Sequence, residues 1–230
     1  MKRKPGLIGV LYAAILAAIA GYFFRTAQLS GGSSVPVVAF SVLMVLVFAL
    51  AAVSLEKHAA YAEVYSPCRQ DLAFSLLGAA GLIAGCALDF RGSVFRMLIS
   101  LLGLLAGFGL GAAAVLRQKG QKPSAAFYVF AVLFYVAKLF RDFRHWEINP
   151  AILDYCFSLF AMIAFMLASY HAGAFSFERG ARRRLAFYSL LGVLFGAISL
   201  AGAQLPELLI YAGSVFWMLA CAQQMLRRSV

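Results

Sequence analysis

Eight apolar stretches, 16 to 23 residues long and joined by short polar links, dominate this chain. A helix rises about 1.5 Å per residue, so about 20 residues cross about 30 Å of bilayer hydrocarbon. In hydrocarbon every backbone N–H and C=O must be satisfied within the protein, which a helix does inside one segment. The sequence therefore predicts an all-α, polytopic membrane helical bundle with eight transmembrane helices. The predicted spans are about 7–24, 36–54, 72–88, 95–116, 125–140, 150–172, 185–203 and 208–226, and residues 1–230 form a single transmembrane domain.

Composition agrees. The chain is 63% apolar and 13% charged, where a soluble domain is about half apolar and about a quarter charged. The net charge of +11 has no nucleic-acid-binding motif beside it. It reads instead as basic loops held against anionic lipid headgroups. Fourteen of the 20 Lys and Arg residues fall in the terminal segments and in the links after the second, fourth and sixth spans. The positive-inside rule then places both termini in the cytoplasm. Short loops and the lack of a large soluble domain point to a bacterial cell (plasma) membrane.

The first span has a second reading, as a cleaved signal peptide, because Ala18-Ile19-Ala20 before Gly21 resembles a small-residue cleavage site. A retained helix is the reading taken, since the apolar run continues past that point. Leu55–Asp71 is the longest connection, and its first half reads as a helix lying at the interface, ended by Ser66-Pro67.

Small residues drive helix association where lipid is as apolar as leucine. Gly103, Gly107 and Gly111 share one helix face, as do Gly81 with Gly85 and Gly192 with Gly196. These rows read as packing surfaces within the chain. The alternatives are a lined pore, or a seam for a homo-oligomer or membrane partner.

The densest mixed-charge run, Lys138 to Glu147, leads into the sixth span. Arg141–Glu147 reads as a hydrated loop, and Asn149-Pro150 as a cap and first helical residue. Asp154 lies one turn into that span, where an ionised carboxylate is costly. Ser158 is four residues on and shares its face. One reading makes Asp154 an ion-pair partner of Lys138 or Arg144. The other makes Asp154, Tyr155, Ser158, Lys138, Arg144 and His145 a binding set for a small cationic solute or ion.

None of Cys68, Cys86, Cys156 and Cys221 forms a C-x-x-C pair, and neither His58 nor His171 has a second ligand at metal spacing. No metal or cofactor is expected, and no nucleophile–base pattern is visible. Arg182-Arg183-Arg184 reads as a topogenic anchor. The leading functional expectation is binding or passage of a small solute or ion. A non-catalytic scaffold or partner subunit and a lipid-modifying membrane enzyme are the alternatives.

Overall fold

The computed structural model describes residues 6–91, 93–146, 152–178 and 180–227, with the backbone alone for 6–8, 144–146 and 152–154. Among the described residues the chain is helical, without strands. Eight long helices appear: α1 (Gly6–Leu29), α2 (Val35–Val53), α4 (Arg69–Leu88), α5 (Val94–Gln118), α6 (Ala126–Trp146), α7 (Ile152–Ala174), α8 (Arg182–Ser199) and α9 (Leu205–Arg227). A single turn, α3 (Tyr61–Val64), lies in the longest connection.

Local chemistry explains several boundaries. Pro36 opens α2, where its missing N–H costs nothing. Ser93 caps α5 by accepting the Arg96 N–H. Gly120 takes the left-handed conformation after α5, and the Gln121 N–H reaches back to the Leu116 carbonyl at 2.9 Å. That closes the helix in a Schellman turn.

Six of the eight long helices, α1, α2, α4, α5, α7 and α9, are long and apolar enough to cross a membrane. α6 and α8 fall short because of their charges: α6 carries Lys138, Arg141, Asp142 and Arg144, and α8 begins with three arginines. Two sequence expectations change here. The run from Arg141 is not a loop: α6 continues to Trp146, beyond the span expected to end at 140. The connection after α2 is not an interfacial helix, since only Tyr61–Val64 is helical.

α4, α5, α6, α7, α8 and α9 pack in sequence, and α9 returns onto α4, closing a six-helix ring. α1 and α2 lie outside it, against α8 and each other. The ring interior is filled by Tyr128, Phe134, Tyr135, Phe165, Tyr211 and Trp217, all buried. Tyr135 and Ser214 share a 2.8 Å hydrogen bond that joins α6 to α9.

α4 and α9 make the closest approach. A methyl group added at Gly78 would stand 2.7 Å from the Gly213 carbonyl oxygen, and one at Gly81 would stand 2.8 Å from the Gly213 Cα. At Gly85 it would stand 2.8 Å from the Pro206 carbonyl oxygen. Gly103 and Gly107 face Cys86 and Ile83 of α4, Gly111 faces Ala79, and Gly192 and Gly196 face Phe165 of α7.

Candidate functional site

Charge gathers at the two ends of the ring. One end holds a ladder in which every rung is matched. The Lys138 side chain, 0% exposed, donates to Asp142 at 2.7 Å and lies 3.8 Å from Glu207. Arg141 donates to Asp142 at 2.9 Å and to Asp89 at 2.6 Å. Arg96 approaches the other Asp89 oxygen at 3.3 Å. Three bases and three acids from α5, α6, α9 and the end of α4 thus neutralise one another. Helix position helps, because Lys138 and Arg141 lie toward the C-terminal end of α6 and Glu207 lies in the first turn of α9. Asp89, unfavourable at the C-terminal end of α4, is held by two arginines.

The opposite end is basic. Here α2, α5, α7 and α9 finish while α4, α6 and α8 start. Arg182 donates twice to the Met225 carbonyl, at 3.0 and 2.7 Å. Arg183 donates to the carbonyls of Val53 and Leu55 at 2.9 and 3.0 Å. Carbonyls at a helix C-terminus lack intrahelical partners, so these two arginines fasten α9 and α2 to the start of α8. The connection from Ser54 to Cys68 lies over this end: Tyr65 is buried edge-on against Phe175, with the Arg117 guanidinium 5.2 Å from its ring centre. Lys122 donates to Glu178 at 2.8 Å. That ammonium, followed by the Tyr61 N–H, holds the Glu178 carboxyl below the usual glutamate range.

Beside this cover a groove of about 1020 Å³ opens between α6 and α7, beneath the start of α8. Val129, Val132 and Leu133 form one wall. Lys57, His58, His171, Arg183 and Arg184 stand among its lining residues, and among the described residues no carboxylate does. His171 is buried, stacked on Tyr188 with ring centres 5.5 Å apart. Lys57, His58 and Arg184 are exposed.

The residues singled out in the sequence are distributed as follows. Lys138 lies in the matched ladder. Ser158 is half-buried and hydrogen-bonds Tyr211, and Tyr155 is half-buried on the same helix. Asp154, Arg144 and His145 lie on helices, but their side chains fall outside the described residues, as do Asn149 and Pro150 altogether. Asp89, Asp142 and Glu207 complete the ladder. Asp142 was legible as the i+4 neighbour of Lys138, whereas Asp89 and Glu207 come from distant helix ends. Among the described residues no group of three His, Cys, Asp or Glu side chains could hold a metal ion.

Compared with models of protein families, with curated proteins and with solved structures, the chain matches none.

Proposed function

We propose that this chain is an integral membrane protein of the cell membrane, with both termini cytoplasmic, that binds an anionic amphiphile from the inner leaflet in the groove between α6 and α7. The observation that carries this reading is the pairing of an apolar wall with a basic mouth that includes no carboxylate among the described residues. Apolar side chains favour an acyl chain at about 25 cal/mol per Å² removed from water. Each Lys or Arg near a membrane surface attracts anionic lipid by about 1 kcal/mol. The volume suits a headgroup and part of a chain, near the upper range of about 300–1,000 Å³ for small-molecule sites. Aromatic filling of the ring interior supports binding at this groove rather than passage through the ring.

Photo-crosslinking tests the proposal. A phosphatidylglycerol carrying a photoreactive acyl chain should label Val129, Val132 and Leu133 in the purified full-length protein. A phosphatidylcholine probe should label them weakly. Labelling spread evenly over the exposed faces of α2 and α5 would overturn the reading.

A second reading keeps a small cationic solute or ion near Asp154, Tyr155 and Ser158. It is favoured by Glu207, which is 42% exposed and lies 3.8 Å from Lys138, making it the ladder carboxylate most open to a ligand. Cation-dependent stabilisation lost in both Asp154→Asn and Glu207→Gln would support it, and its persistence in both would exclude it.

A further inference from the structure

The basic end holds a second cavity, of about 10 Å³, lined by Cys68, Asp71, Ser75, Arg117 and Gln224 among others. That is room for one oxygen-sized group. Two of its lining residues each keep one buried atom without a hydrogen bond. Asp71 is 5% exposed and its Oδ1 accepts no hydrogen bond; Arg117 is 7% exposed and its Nη2 donates none. The other Arg117 nitrogens are used: Nε donates to the Ala113 carbonyl at 3.2 Å and Nη1 to Gln224 at 2.9 Å. A buried acceptor and a buried donor thus border one small cavity, and a single O–H group placed between them would satisfy both.

Cys68 lines the same cavity. It is a free, half-buried thiol at the residue preceding α4, and the Arg227 guanidinium at the end of α9 donates to its sulfur. Burial pushes this thiol up, but the Asp71 N–H, Arg227 and the Gln70 N–H outweigh burial and leave it below the usual cysteine value. A helix N-terminus and an arginine are the surroundings that hold a cysteine as thiolate. The Asp71 carboxylate is within hydrogen-bond reach of the sulfur and its charge pushes the thiol up, while Gln224 and Arg117 line the same cavity. Cys86 and Cys221 are buried in the ring.

We propose that Cys68 is a peroxide-reactive cysteine whose sulfenic acid is held by Asp71 and Arg117. The thiolate sulfur attacks the terminal oxygen of a hydroperoxide. An S–O bond forms and the O–O bond breaks. The sulfur is oxidised by two electrons, and the peroxide is reduced to an alkoxide that leaves with a proton from water as the alcohol, or as water from hydrogen peroxide. The new S–OH donates to Asp71 Oδ1 and accepts from Arg117 Nη2. A thiol reductant returns the cysteine to its starting state.

The test is a time course of hydrogen peroxide oxidation on full-length protein in detergent, trapped with dimedone and read by peptide mass spectrometry. Cys68 should take the adduct at least about tenfold faster than Cys156, the other partly exposed cysteine, as expected of a thiolate beside a guanidinium. Arg227→Gln, a change at the exposed end of α9, should slow the Cys68 adduct severalfold with the melting temperature kept. Asp71→Asn, which presents an amide in place of the second acceptor, should raise the fraction carried on to sulfinic acid. Equal labelling of Cys68 and Cys156, or a Cys68 rate unchanged in Arg227→Gln, would overturn the proposal.

Discussion

The two ends of the ring handle buried charge in opposite ways. At one, Arg96, Asp89, Arg141, Asp142, Lys138 and Glu207 form a chain of ion pairs with equal numbers of each sign. At the other, Arg117 and Asp71 each keep an unpartnered atom, and the large groove gathers basic side chains without a carboxylate among the described residues. A buried charge with a partner is a structural element, whereas a buried or clustered charge without one is a place for something else to bind. Helices are tied at both ends, by the ladder at one and by Arg182 and Arg183 at the other, and the unmatched charge is the ground on which ligand contact is proposed for the basic end.

The largest expected effect breaks the matched end. Lys138→Met leaves Asp142 buried with Arg141 as its remaining ion-pair partner, and should cost about 3–5 kcal/mol, the range for removing one partner of a buried pair. Thermal unfolding in detergent reads it. The double variant Lys138→Met/Asp142→Leu should recover much of the loss, because the desolvation cost leaves with the charges.

Arg182→Ala follows at about 2 kcal/mol, since it strips charge-assisted hydrogen bonds from the Met225 carbonyl. Its loss should appear as faster hydrogen exchange in the last turn of α9. Tyr135→Phe should cost about 1 kcal/mol, because Ser214 still donates to the Ile210 carbonyl at 2.7 Å; denaturant unfolding measures it.

The smallest effect is a pH dependence. Glu178 is held below its ordinary value by Lys122, so its stabilising contribution is present above the unfolded glutamate value and is lost as the pH falls through the lower folded one. Glu178→Gln should therefore flatten the acid side of the melting-temperature profile below about pH 4, leaving neutral pH nearly unchanged.

Much of the fold was legible, because apolar length and glycine spacing are local signals. The rows at Gly81 and Gly85, Gly103 and Gly107, and Gly192 and Gly196 could be read directly. Gly213, which meets Gly78 and Gly81, stands outside such a row, so its contact with α4 depends on how the chain closes the ring. The mixed-charge run drew attention to Lys138, yet its partner Glu207 lies 69 residues away in sequence, and Asp89, the partner of Arg141, lies 52 residues from that arginine. Charge density alone cannot separate a self-neutralising cluster from a binding site. The arginine triplet read as an anchor in a loop, while Arg182 and Arg183 cap helices that end elsewhere in the chain. The groove drew no attention in the sequence, because Lys57, Val132 and Arg184 come from three separate segments.

Ligand contact at the basic end is open to direct test. The most direct measurement is the melting-temperature shift on adding phosphatidylglycerol to delipidated protein, compared among wild type, Lys57→Gln/Arg184→Gln and Arg96→Gln. All three changes fall on exposed side chains. Saturation to about 100 times Kd stabilises a protein by about 2.7 kcal/mol, well within range of the measurement. Equal shifts are expected for wild type and Arg96→Gln, with most of the shift lost in Lys57→Gln/Arg184→Gln. A full shift in Lys57→Gln/Arg184→Gln, or a shift lost in Arg96→Gln instead, would contradict that contact.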